Sequence, residues 1–345
     1  MGALCVIGTR PEAIKMIPVI LELKSRRIHT TVLTTGQHDV TGELIQWGIV
    51  PDRELPIQRG TMECISRTSF AVRQLAKRAA CIIAQGDTTT VFATANAAFL
   101  LGRPFVHIEA GLRTYDLKAP FPEEYYRRCI SLATTLHCAP TYAAAANLKK
   151  EGFTERVIVT GNTVIDSLVM AINKAKPDRH TKNCVLLTSH RFENRKHKQA
   201  IIAAAVEISQ HHRVVYVEHG NPKAVLKIPE YGNNIDCVSP RSYTAMASLL
   251  HGCKAILTDS GGLQEEACYL KKPTIVLRDS TERPEAVECG TAFMGGTDFR
   301  SIMVAFELAM SQIDEKGKLR HVKDTCPYGD GLAAKRIVDA LRIFK

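Results

Sequence analysis

Short apolar runs recur along this chain with helix-length amphipathic stretches between them, and that alternation constrains the fold more than any other feature. Candidate strands fall at 3–8, 31–35, 81–85, 105–108, 136–139 and 157–160, and a second series at 185–189, 214–218, 235–238, 255–258 and 274–277. Candidate helices between them include 12–24, 90–101, 200–210 and 262–270. The strands are continuously apolar, as parallel strands buried on both faces are. Alternation of this kind folds as parallel sheets covered by helices on both sides. The polar run 173–183 separates the two series, so an α/β protein of two Rossmann-like domains is expected, at 1–170 and 184–325. The tail 331–345 reads as an amphipathic helix after Pro327-Tyr328-Gly329-Asp330-Gly331, and either domain could supply the surface its apolar face needs.

With 345 residues, 45% hydrophobic and 23% charged, the chain is long enough for two domains that each bury a core. The longest apolar runs, such as 97–101, are too short to span a bilayer, and the first eight residues read as a strand without a charged leader. A cytoplasmic protein without membrane contact is therefore expected. Eleven scattered cysteines, with no Cys-x-x-Cys, suggest neither a disulfide framework nor a zinc cage. The formal charge of +10 suits an anionic ligand; the basic residues form no tract with interleaved aromatics, so no nucleic-acid partner is expected.

Open parallel sheets bind ligands at the carboxyl ends of their strands, and the unusual polar residues sit there. Gly8-Thr9-Arg10-Pro11-Glu12, Gly86-Asp87-Thr88 and Glu109-Ala110-Gly111-Leu112-Arg113 follow strands of the first series. Ser189-His190-Arg191, His219-Gly220-Asn221-Pro222 and Asp259-Ser260-Gly261-Gly262 follow strands of the second. Two sheets facing each other across a cleft would bring all of these together.

Each motif has a bland alternative. Ser260-Gly261-Gly262 opens a helix whose free N–H groups and positive dipole end suit a diphosphate, with Glu266 one turn in and suited to ribose hydroxyls. It is also an ordinary capped helix. Gly8 to Lys15 lacks dinucleotide-fingerprint spacing, so no nicotinamide cofactor is expected, and Lys15 alone reads as a solvated first-turn lysine. Asp87, Glu109 and Glu123 are carboxylates at or near strand ends, and a base and an acid in different environments are a standard solution to proton transfer at a sugar carbon. Singly, Asp87 could cap the helix starting near Thr90, and Glu123 could be a helix-start acid. His190 beside Arg191 suits a departing phosphate, as does Arg283; no metal-ligand spacing accompanies them, so no metal is expected.

Gly-Thr-Arg-Pro-Glu-Ala-Ile-Lys at 8–15, Gly-Gln-His at 36–38, Gly-Asp-Thr-Thr-Thr at 86–90 and His-Ile-Glu-Ala-Gly-Leu-Arg-Thr at 107–114 resemble the non-hydrolysing UDP-N-acetylglucosamine 2-epimerases. So do Pro-Glu-Glu at 122–124, Thr-Gly-Asn-Thr-Val-Ile-Asp at 160–166, His190-Arg191-x-Glu193-Asn194, Thr-Asp-Ser-Gly-Gly-x-Gln-Glu-Glu at 258–266, Thr-Glu-Arg-Pro-Glu at 281–285 and Pro-Tyr-Gly-Asp-Gly at 327–331. The resemblance implies a glycogen phosphorylase or glycosyltransferase-B type of fold, with the C-terminal helix crossing back to the first domain. It implies carboxylates Asp87, Glu109 and Glu123 at the sugar, accompanied by Arg127, and ligand contacts from Arg10 and Lys15. His190 attends the leaving UDP, Ser260, Gly261 and Gly262 hold phosphate, Glu266 holds ribose and Arg283 completes the set. The implied reaction needs no cofactor: UDP is eliminated to leave a 2-acetamidoglucal and is added back with C2 inverted. A UDP-sugar is the expected partner, and a homodimer the expected assembly.

The chain departs from the family pattern at several places. His219 begins a His-Gly-Asn-Pro run where His-Leu-Asn-Pro is commoner, and Asp39-Val40-Thr41 follows Gly-Gln-His. Arg241 and Met246 stand where Gln and Phe are usual near the base, and Tyr126 replaces Asn before Arg127. Weaker base discrimination, and a tyrosine near the sugar, are the expected consequences. Rival readings are a nucleotide-sugar glycosyltransferase or hydrolysing epimerase on the same fold, or a non-catalytic nucleotide-sugar sensor.

Overall fold

The computed structural model describes residues 2–58, 60–175, 182–189, 196–218, 225–229, 234–314 and 319–344. The chain forms two compact units, Met1–Ser167 with Gly329–Lys345, and Leu168–Tyr328.

The first unit carries β1 (Gly2–Ile7), β2 (His29–Thr34), β3 (Arg53–Glu54), β4 (Cys81–Gln85), β5 (Phe105–Ile108), β6 (Leu136–Ala139) and β7 (Val157–Val159). All pair in parallel, in the order β3-β2-β1-β4-β5-β6-β7. Its helices are α1 (Arg10–Ser25), α2 (Thr41–Ile45), α3 (Thr61–Leu75), α4 (Thr89–Leu100), α5 (Glu123–Ala133), α6 (Tyr142–Lys150) and the start of α7 (Thr163–Lys174). The second unit carries β8 (Val185–Thr188), β9 (Val214–Val217), β10 (Ile235–Val238), β11 (Ala255–Thr258), β12 (Thr274–Val276) and β13 (Ala292–Met294), parallel in the order β10-β9-β8-β11-β12-β13. Its helices are α8 (Lys198–Ser209), α9 (Tyr243–Gly252), α10 (Gly261–Tyr269), α11 (Pro284–Glu288) and α12 (Phe299–Ser311).

Both sheets thus have the doubly wound form that the alternation predicts. The central strands β1, β4, β5, β6, β8 and β11 are buried along their whole length, which explains why they read as continuous apolar runs. Edge strand β10 is only partly buried and carries Asp236 on it. One core gathers Leu4, Val6, Leu33, Ile82, Ala84 and Phe105 beneath α3, α4 and α5. The other gathers Val185, Leu187, Tyr216, Leu257 and Ile275 with Ile201, Ile208 and Phe306.

The final helix, α13 (Ala333–Ala340), belongs to the first unit and lies against α1. Arg26 donates to Asp339 at 2.5 Å. The buried Asp166 carboxylate accepts the N–H groups of Ala333 (3.2 Å) and Ala334 (2.9 Å), satisfying donors that a helix N-terminus leaves over. Among the described residues, no helix is long and apolar enough to cross a membrane, and no cluster of three or more His, Cys, Asp or Glu could hold a metal ion.

Candidate functional site

The loop after β1 is built around Gly8. A Cβ placed there would fall 2.0 Å from Thr90 Oγ1, so the approach of this loop to the first turn of α4 requires glycine. Thr9 is the N-cap of α1 and forms a capping box with Glu12, whose carboxylate accepts from Thr9 N–H (3.4 Å) and also from Gly8 N–H (2.7 Å) and the Thr9 hydroxyl (3.0 Å). Burial pushes the Glu12 carboxyl up to about 7. Arg10 points outward, its side chain 45% exposed, and donates from Nε to Glu43 at 2.9 Å. Lys15 does not lie in solvent. Its ammonium donates to Glu109 Oε2 at 2.6 Å, and Gln85 donates to the same oxygen.

Glu109 follows β5 directly and sits at φ +66°, in the left-handed region that a non-glycine residue adopts at a cost of roughly 1–3 kcal/mol. Lys15 and Gln85 therefore grip a side chain whose backbone is held in an unusual turn. Gly111, two residues on, has φ +90°, and a Cβ there would meet the Ala144 carbonyl at 2.2 Å. Arg113, its side chain fully buried, directs its guanidinium to Glu151 (2.8 Å from Nε and from Nη2) and to Ser131.

Asp87 lies two residues beyond β4, the strand paired with β5. It does not cap α4: the cap is Thr88, whose hydroxyl accepts from Val91 N–H at 3.4 Å. Instead Asp87 Oδ2 accepts from Arg127 Nε at 2.7 Å, leaving Oδ1 without a protein hydrogen bond among the described residues. Asp87 and Glu109 thus share a geometry. Each projects from the carboxyl end of a neighbouring strand, and each has one oxygen fixed by a cation.

Glu123 opens α5, half-buried, and lies four residues before Arg127, so the two share a face of the helix. Glu124, which no local pattern in the sequence distinguishes from Glu123, is the buried member of the pair. It bonds the backbone at Thr114 and Tyr115 and the side chain of Arg127. His107 was missed as well. It is buried in β5, its Nε2 is 2.7 Å from the Gly86 carbonyl just before Asp87, and burial pushes it down to about 4. A neutral imidazole must then carry its proton on Nε2.

Tyr126 is not where the sequence reading put it. Consecutive helix residues point about 100° apart, so with Arg127 directed to Asp87, Tyr126 turns into the core. It is 6% exposed and stacks on Phe92 with ring centroids 4.7 Å apart. It faces α4.

In the second unit Ser260 caps α10, accepting from Leu263 N–H at 3.5 Å. Gly261 and Gly262 make the first turn without positive φ. A Cβ on Gly262 would meet nothing within 4 Å, and one on Gly261 only the Arg283 guanidinium at 3.8 Å. Glycine at a helix position costs up to about 1 kcal/mol relative to alanine, and among the described residues no neighbour demands it here. Among the described residues, the space in front of this N-terminus is therefore open. Arg283, 10% exposed, is tied through Nε to buried Glu265, which fixes its guanidinium beside Gly261. Glu266 is buried and accepts from the Tyr243 hydroxyl at 2.6 Å, joining α9 to α10. Arg241 and Met246, both half-buried, flank Tyr243 at the start of α9. His190 and His219 lie outside the described residues, as do Arg191, Glu193, Asn194, Asn221 and Pro222.

Residues 21–342 match the family model described as UDP-N-acetylglucosamine 2-epimerase. The chain is 37% identical over 370 residues to the UDP-N-acetylglucosamine 2-epimerase of Neisseria meningitidis serogroup A, covering 99% of each chain. A crystal structure of the N. meningitidis UDP-GlcNAc 2-epimerase bound to UDP-GlcNAc is similar with a TM-score of 0.90 at 36% identity, over 99% of this chain and 100% of that one. The MnaA–UDP co-structure from S. aureus is similar with a TM-score of 0.89 at 34% identity, over 99% and 96%.

Proposed function

The chain belongs to the UDP-N-acetylglucosamine 2-epimerase family, and from that premise we propose that it interconverts UDP-N-acetylglucosamine and UDP-N-acetylmannosamine by eliminating and re-adding UDP. The observation that supports this reading best is the matched pair Asp87 and Glu109, on the ends of adjacent strands with one oxygen each held by Arg127 and Lys15.

In the proposed reaction a carboxylate takes the C2 proton, and the C–H electron pair forms a C1–C2 double bond. The C1–O bond breaks, its electron pair leaving with UDP, and a 2-acetamidoglucal remains. Re-addition returns UDP to C1 while an acid delivers a proton to the opposite face of C2. The C2 proton is weakly acidic, so the step depends on stabilising the leaving diphosphate and the charge that develops at C1. Asp87 and Glu123 are assigned the proton transfers, with Glu109 the third carboxylate at the sugar. The diphosphate goes to Ser260, Gly261 and Gly262 with Arg283, the ribose to Glu266, and the base to the start of α9 at Arg241 and Met246. His190 and His219 are assigned to the UDP by resemblance alone.

The test is incubation with UDP-N-acetylglucosamine in deuterated water, without added nicotinamide, followed by NMR. Deuterium is expected at C2 of UDP-N-acetylmannosamine. Turnover with the original C2 hydrogen fully retained would rule out elimination.

A further inference from the structure

We infer that Glu124 is a positioning residue that sets the direction of Asp87 through Arg127; the inference rests on the reading of Asp87 as a proton-transfer group. The Glu124 side chain is fully buried. Its Oε2 accepts from Thr114 N–H at 3.0 Å and from Arg127 Nη1 at 3.2 Å, and its Oε1 accepts from Tyr115 N–H at 3.1 Å. Thr114 and Tyr115 lie midway along the loop that runs from Glu109 to α5, and Glu123 precedes Glu124 on the first turn of α5. One buried carboxylate therefore ties together the Glu109 loop, the helix start that bears Glu123 and the arginine that holds Asp87.

A guanidinium is planar, so fixing one of its terminal nitrogens fixes the direction of its Nε–H as well. Glu124 grips Arg127 at Nη1, and the Nε–H that this orients meets Asp87 Oδ2 at 2.7 Å. Asp87 is 27% exposed and Glu124 is not, so the buried member directs the exposed one. Every partner of Glu124 named here is a donor, which suits a carboxylate and not an amide: glutamine would turn an NH₂ group toward the backbone amides or the guanidinium. Without Glu124, Arg127 loses a bond that helps to orient it, and a displacement of about 1 Å in a reacting group is enough to lower a rate on the order of 10²-fold.

The experiment compares Glu124→Gln, Asp87→Asn and the double variant in the full-length protein. Glu124→Gln is expected to lower kcat roughly 10²-fold while KM and UDP affinity change by less than about 3-fold. In the Asp87→Asn background the same change is expected to lower the residual rate by less than about 3-fold, because it acts through Asp87. Should Glu124→Gln fail to fold, Arg127→Lys carries the test. It keeps the charge and loses the planar fork, and the same loss of kcat and the same non-additivity are expected. Full additivity, or a normal kcat in Glu124→Gln when Asp87→Asn is impaired, overturns the positioning role and leaves the reading of Asp87 intact. Normal turnover in Asp87→Asn removes the reading on which it rests.

Discussion

Lys15 on the second turn of α1 and Glu109 at the end of β5, 94 positions apart in sequence, form an ion pair of 2.6 Å. Their side chains are 12% and 5% exposed. A charge left without its partner in such a place is costly, typically by about 3–5 kcal/mol, although the intact pair contributes little net stability. Lys15→Met is therefore expected to destabilise the protein by about that amount in urea denaturation and to lower turnover. Lys15→Met combined with Glu109→Gln should cost less stability than Lys15→Met alone. Additive losses would show that the two side chains do not compensate each other.

Gly261 and Gly262 offer a prediction in which stability and binding move in opposite directions. Alanine has room at both positions and favours the helix, so Gly262→Ala should raise the ligand-free stability by about 0.5–1 kcal/mol in thermal melting. The added methyl group would occupy the space proposed for the diphosphate. UDP affinity measured by calorimetry should fall by about tenfold or more, the equivalent of 1.4 kcal/mol. A variant that is stabilised and still binds UDP normally would place the diphosphate elsewhere.

Tyr126 should behave as a core residue. Tyr126→Asn removes a ring stacked on Phe92 and puts an amide into an apolar cluster, so a loss of about 3–5 kcal/mol is expected. Relative kcat/KM values across a panel of nucleotide sugars should not change. The same panel should respond to Arg241→Gln and Met246→Phe, which alter hydrogen bonding and stacking at the proposed base end. A substrate preference that follows Tyr126 instead would contradict its burial.

Two histidines on neighbouring strands predict a pH effect. His107 and His137, partners in the β5–β6 register, are pushed down to about 4 and about 3, chiefly by burial. Each is neutral when folded and takes up a proton near pH 6.5 when unfolded. Their contribution is complete above pH 6.5 and is lost as pH falls through about 4 and then about 3. Glu12, pushed up to about 7, acts in the opposite sense: its contribution is complete below its unfolded value of 4.5 and is lost as pH rises through about 7. The informative quantity is therefore the difference between wild type and His137→Phe. Relative to wild type, the variant should gain stability as pH falls below 6.5, with a slope of up to about 1.4 kcal/mol per pH unit. A flat difference curve between pH 7 and 4.5 would mean that His137 binds its proton equally well in both states.

The sequence by itself determined the fold class and the ends of the sheets, because both follow from short-range pattern. A buried parallel strand is apolar at most positions, so β4, β5, β6 and β11 have the bounds that their apolar runs predict, as does the partly buried edge strand β10. The strands it missed are edge strands: β3 is two polar residues, Arg53–Glu54, and β13 is three residues long. Such strands are defined by the neighbour they pair with, not by any pattern of their own. Asp87 and Glu109 were legible for the same local reason, since polar residues directly after buried strands must lie at the sheet's end.

What only the tertiary structure decided is where each side chain turns and what it meets. Glu123 and Glu124 are chemically identical neighbours, yet one is half-buried at the helix start and the other is sealed beneath it. Tyr126 and Arg127 part in the same way, one to Phe92 and the other to Asp87. Asp166 and the N–H of Ala334 meet across 168 positions, and Lys15 and Glu109 across 94. Periodicity carries information over a few residues, whereas these partnerships depend on the angle at which a helix docks on its sheet. That angle is set by the packing of the whole core, and no local stretch of sequence contains it.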